Sequence, residues 1–189
     1  PLATSQTSPL DPHRFQWALS AIQAPGTAGA WGFTTGRAQI SSIDGGLDVT
    51  HPDSSFESLG NLRLHISGHS KFCEVQNPFS GCVVPNDLGP ATGLGDLVLH
   101  GQHVNTVMAA PINGVGIAGV CPGCTLQTIR GINVARTSEA VNMVARFGST
   151  ALNMSFAQSS LFPQFFKPFR EALSTASSRD VVIVASAGN

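Results

Sequence analysis

The sequence predicts an α/β fold of three layers, in which a mainly parallel sheet is flanked by helices. Three observations predict it. Through the second half of the chain, short apolar runs of strand length alternate with longer amphipathic segments. Gly and Pro punctuate the joints between them. Polar residues stand at the ends of three apolar runs, where open parallel sheets gather their functional groups.

The elements follow in order. Residues 1–12, rich in Ser, Thr and Pro, read as an extended arm, and residues 13–189 as one domain. Ala38 to Ile43 is a strand that ends in the turn Asp44-Gly45-Gly46. Residues 54–99 carry Cys73 and Cys82 among many Gly, Ser and Pro and read as loop. His100 to Ala110 places Val104, Val107 and Met108 at helical spacing before Pro111 and Gly114 break it. Thr125 to Arg130 is a second strand. Arg136 to Phe147 is an amphipathic helix with Ala140, Val141, Val144 and Phe147 on one face, Thr137 suited to cap its start and Gly148 its end. Thr150 to Phe156 is a third strand. Pro168 to Ala176 is a helix whose first turn accommodates the proline, with Phe169, Ala172, Leu173 and Ala176 inward. Val181 to Ala187 reads as a fourth, fully buried strand.

Composition narrows the function. The 189 residues hold 10 Lys plus Arg and 11 Asp plus Glu, a formal net charge of −1. Such a balance offers nucleic acid or an anionic membrane no electrostatic footprint. No run approaches the roughly 18 apolar residues of a membrane span.

Three residues carry the first chemical suggestion. Asp44, Ser155 and Asn189 stand at or near the ends of three predicted strands. His100 opens the predicted helix, against the positive end of its dipole, with Gly101 removing bulk beside it. His103 lies three residues on, on the same face.

In this order the residues match a family. Ile43-Asp44-Gly45-Gly46 with His51-Pro52-Asp53, then His100-Gly101-Gln102-His103-Val104, resemble the aspartate and histidine motifs of subtilisin-like serine proteases. Asn153-Met154-Ser155-Phe156 resembles their substrate-binding strand, and Val181 to Asn189 the strand leading to their oxyanion asparagine. Ile22-Gln23-Ala24-Pro25 fits the start of their domain. The resemblance implies that His100 is the general base, that Asp44 orients it and that Asn189 stabilises the oxyanion. It further implies that Ser155, Phe156 and Ala157 pair with substrate backbone as an added strand. His103 is then structural.

The chain departs from the family at Gly45, where Thr or Ser is usual. It departs again at Gln102, where Thr is usual, and at Asn105-Thr106, where Ala-Gly is usual. The loop Pro111 to Ile117 resembles the family's calcium loop, which implies a structural Ca²⁺ held by Asn113, Asp53 and Asp11. A Gly-rich turn without metal is the alternative. Cys73, Cys82, Cys121 and Cys124 allow three disulfide connectivities. A rival reading joins Cys121 and Cys124 to His100 and His103 as a zinc set.

The family's nucleophile sits several dozen residues beyond the asparagine in a Gly-Thr-Ser-Met-Ala-like segment, and these residues contain none. The expectation is therefore a partial peptidase domain, truncated at its C-terminal side, inactive alone and with an open edge at its last strand. The complete protein is expected to be a secreted, monomeric serine endopeptidase acting on peptide or protein, with a propeptide or proteinaceous inhibitor as further partner. The alternative is a non-catalytic module of the same fold used for binding or scaffolding.

Overall fold

A computed structural model describes residues 16–47, 51–54, 95–130, 134–156 and 166–188. The expected arm lies outside the described residues, as do Asp11, Cys73, Cys82, Ala157 and Asn189. Two short helices, α1 (Trp17–Ala21) and α2 (Ala30–Phe33), precede the first strand, β1 (Gln39–Asp44). A 3-10 turn at Pro52–Ser54 and helix α3 (Gly95–Ala109) follow. Then come β2 (Thr125–Arg130), α4 (Val134–Phe147), β3 (Ala151–Met154), α5 (Phe166–Ser177) and β4 (Val182–Ala185).

The four strands form one parallel sheet in the order β2-β1-β3-β4. Side chains alternate across a strand, so Ile40 and Ile43 of β1 point to opposite faces. Ile43 joins Ile129, Leu152 and Met154 against Ala140, Val141, Val144 and Ala145 of α4 and Ala172 and Ala176 of α5. Ile40 packs instead with Leu126, Leu47, Met108 and Ala109, the last two from α3. Helix α3 therefore covers one face, and α4 with α5 the other. The predicted three layers are present.

Strand β1 lies between β2 and β3 with helices over both faces, so it is largely buried although four of its six residues, Gln-Ile-Ser-Ser-Ile-Asp, are polar. Ser41 meets Gln127 (2.9 Å) and Ser149 on the α4 side. These bonds satisfy hydroxyls that burial would otherwise leave at a cost. The amino-terminal segment is tied down in a similar way. Gln16 donates to the carbonyl of Ala118 and accepts its N–H, both at 2.9 Å, and the indole of Trp31 donates to Val120 (3.0 Å).

The structure corrects four expectations. Helix α3 starts at Gly95, not at His100, because Asp96 to Leu99 contain no breaker and prolong it. Its buried side is Gly101, Gln102, Asn105, Thr106 and Ala109, whereas Val107 of the expected apolar face is exposed. Helix α4 starts at Val134, so Thr137 is a fully buried interior residue and not the cap. Strand β4 is not fully buried. It forms one edge of the sheet, and only its α5 side is covered, leaving Val182 and Val184 60% and 52% exposed. An apolar face left open on an edge strand is a surface on which further backbone could pair.

Leu152 is fully buried at the centre of the larger cluster. Leu152→Ala should lower stability by about 2–5 kcal/mol, read as a shift in the denaturant midpoint at unchanged slope.

Candidate active site

Strand β1 delivers Asp44 to the carboxyl edge of the sheet, and α3 lays His100 over it. The Nδ1 of His100 is 2.8 Å from Oδ1 of Asp44. The carboxylate is almost wholly buried, its side chain 3% exposed, while the imidazole is 50% exposed. A carboxylate can only accept, so Nδ1 carries the proton and, in the neutral ring, Nε2 carries the free lone pair. A half-exposed ring with a free lone pair is placed to take a proton from an incoming group.

The same Oδ1 accepts the N–H of Gly45 (2.6 Å), and Oδ2 is buried with no partner among the described residues. Gly101, next to His100, lets the helix come this close. A Cβ there would lie 2.4 Å from the carbonyl oxygen and 2.7 Å from the nitrogen of Gly46. His100 is the sixth residue of α3, so the expected placement against the helix's amino-terminal dipole does not apply. Its partner is the carboxylate instead.

The residues at which the sequence departs from the family hold the same junction. Gln102 turns away to donate to the hydroxyl of Ser54, and Thr106 donates back to the carbonyl of Gln102 (2.9 Å). Asn105 donates to the carbonyl of Gly46 (3.2 Å) and to the hydroxyl of Thr128 (3.1 Å). Its Oδ1 stays buried without a partner, which costs about 1–3 kcal/mol. No local sequence pattern announces these four hydrogen bonds. The available signal was the placement of Gln102, Asn105 and Thr106 at helix-face spacing with Gly101 and Ala109.

Ser155 and Phe156 follow β3. Asn153 donates to the Ser155 hydroxyl (2.9 Å), and the Phe156 carbonyl accepts from Ser186 beyond β4 (3.3 Å). Register pairs Ser42 with Asn153, so Asp44 and Ser155 each lie two residues further, at adjacent carboxyl ends. The chain runs from β1 to β2 on one side and from β3 to β4 on the other. Such a reversal opens a crevice where ligands bind in open parallel sheets. His103 is exposed and takes no part in the Asp44–His100 pair.

Of the expected calcium residues, Asp53 is brought onto the Pro111–Ile117 loop, where its Oδ1 accepts the N–H of Ile117 (3.0 Å). Gly116, at φ +59°, makes room for that carboxylate. Asn113 accepts the N–H of Val115 (3.0 Å) inside the same loop. The donors are hard oxygens, as calcium requires. Among the described residues no three His, Cys, Asp or Glu side chains cluster, so loop carbonyls would have to complete a shell. The zinc reading is overturned. Cys121 and Cys124 are joined as a disulfide, which leaves no thiolates to ligate, and His100 is committed to Asp44.

The model of the subtilase family matches residues 36–189, most of the chain. The chain belongs to the subtilase family. It is 30% identical over 179 residues to subtilisin Savinase of Lederbergia lenta, covering 92% of this chain and 55% of that protein. Subtilisin E of Bacillus subtilis is 24% identical over 179 residues, covering 92% of this chain and 39% of its own length. The chain thus spans about half or less of the curated relatives it matches. Among solved structures, the prenylagaramide maturation protease PagA superposes with a TM-score of 0.61 at 18% identity, over 87% of this chain and 51% of that one. A lanthipeptide protease gives 0.57 at 18% identity, over 99% and 51%. These likenesses establish the subtilisin-like α/β fold. Among the described residues no helix is long and apolar enough to cross a membrane.

Gly101→Ala should force α3 off the Gly46 turn. We expect a loss of about 1–3 kcal/mol in unfolding free energy, measured by chemical denaturation. Unchanged stability would mean that the helix does not approach the turn this closely.

Proposed function

We propose that the complete protein is a serine endopeptidase and that this subtilase chain supplies its base, its orienting carboxylate and its oxyanion donor. The observation that carries the reading is the buried Asp44 carboxylate fixing Nδ1 of a half-exposed His100 at 2.8 Å. A serine from chain outside these residues would approach Nε2. As its oxygen attacks the peptide carbonyl, Nε2 takes the hydroxyl proton, and Asp44 stabilises the imidazolium that forms. The proton then passes to the leaving nitrogen as the C–N bond breaks. Water repeats the sequence to release the acyl group.

In this reading the Asn189 amide donates to the oxyanion. Ser155, Phe156 and Ala157 offer backbone to an extended peptide along the crevice beside β3. The family's protease names support peptide or protein as substrate, and a propeptide or protein inhibitor would occupy the same strand position. The Cys121–Cys124 disulfide supports an extracellular location. The accommodation of Gln102 and Asn105 in hydrogen bonds favours a working site over a decayed scaffold.

A fluorophosphonate probe should label the full-length protein, and His100→Ala should abolish the labelling. Persistent labelling in that variant would contradict the assigned base. Asp44→Asn should leave the fold intact and lower kcat by about 10⁴-fold, because the ring loses the partner that fixes its tautomer.

We further propose that Asp53, Asn113 and the carbonyls of the 111–117 loop hold a structural Ca²⁺, with Asp11 closing the site. Chelator should lower the Tm of the full-length protein and added Ca²⁺ restore it. Asp53→Asn keeps an acceptor for Ile117 but loses the charge, so it should remove the calcium response. A Tm indifferent to chelator would refute the site.

A further inference from the structure

We infer that Asn105 is a positioning residue that locks the Asp44–His100 pair, through a tie that the Ala usual in the family at this position could not make. The inference rests on the peptidase reading above only for its kinetic consequence. Among the described residues Asp44 is held at one oxygen, by Gly45 N–H and by His100 itself, and Oδ2 has no partner. Its direction therefore depends on the turn that follows it. That turn is Gly45-Gly46, the two least restrained residues available, with Gly46 at φ +113°. Its carbonyl is fixed by Nδ2 of Asn105.

Asn105 belongs to the same helix as His100, five residues further on, and is fully buried. Its two amide hydrogens go to two different elements, the β1 turn and Thr128 of β2. The orientation is unambiguous, because a carbonyl accepts and only the NH₂ side can face Gly46. One side chain thus fixes the helix carrying His100 against the turn carrying Asp44 and against the neighbouring strand. The family's usual Ala at this position has no group that could do so. Ser42, paired in register with Thr128 and buried on the same sheet face as Asp44, makes no competing bond. The amide of Asn105 is the side-chain donor to this turn among the described residues.

The test compares Asn105→Leu with wild type in the full-length protein. Leucine keeps the volume and removes both bonds. We expect kcat to fall roughly 10- to 100-fold with KM within about twofold, at a Tm equal to or above wild type. The acidic limb of the kcat/KM pH profile, where the base must be unprotonated, should move, and the low-field imidazole N–H proton resonance of His100 should broaden or vanish. Asn105→Gln, which retains the NH₂ group, should recover part of the kcat loss. Unchanged kcat and an unchanged resonance in Asn105→Leu would overturn the tie, as would a kcat loss explained by a smaller fraction of fluorophosphonate-reactive protein. A wild-type protein that takes no label fails the peptidase reading instead. The resonance in wild type and Asn105→Leu then still decides the role of Asn105.

Discussion

The candidate site depends on how closely one helix approaches one turn. Helix α3 lies so near the Gly45-Gly46 backbone that nothing larger than glycine fits at Gly101. That approach brings His100 within hydrogen-bond reach of a carboxylate that is itself nearly withdrawn from water. A buried carboxylate needs a donor, and an exposed imidazole needs something to choose its tautomer. Each supplies what the other lacks. The sheet delivers the carboxylate, the helix delivers the ring, and the small residues between them set the distance.

The packing on the two faces of the sheet differs in kind. The α4 and α5 face is closed by aliphatic side chains, a contact that tolerates small adjustments of position. The α3 face holds a small apolar group at one end and hydrogen-bonded amides and hydroxyls nearer His100. Hydrogen bonds are directional, so this face resists sliding more than the aliphatic one does. The site sits on the face that is harder to displace.

Much of this was legible in the sequence. The bounds of β2 and the alternation of strands and helices follow from local pattern and turn chemistry, while Asp44 and His100 are singled out by their resemblance to the family's motifs. The third strand is shorter than its apolar pattern implies: it ends at Met154, and Ser155 and Phe156 lie just beyond it. The start of α3 lies earlier than the His motif because Asp96 to Leu99 carry the helix on from Gly95 without a breaker. Its buried face was misread for a physical reason. Periodicity detects apolar stripes, and here the inward stripe is Gly, Gln, Asn, Thr and Ala. Their partners, Ser54, Gly46 and Thr128, are distant in sequence, and no local pattern announces a hydrogen bond across that separation. The exposure of β4 was hidden for the opposite reason. A run of Val, Ile, Val and Ala looks the same whether a neighbour covers it or not.

The order of the strands has a consequence for how the molecule assembles. Strand β1 emerges first, yet its neighbours in the sheet are β2 and β3, and the Ser41–Gln127 bond across the first of these pairs spans 86 residues. Contacts between such remote partners close large loops before any of them is repaid, which slows folding relative to helical proteins of the same size. During synthesis Asp44 would leave the ribosome well before the strands that flank β1. The Asp44–His100 pair joins that early strand to helix α3, so it too waits on packing between parts of the chain far apart in sequence.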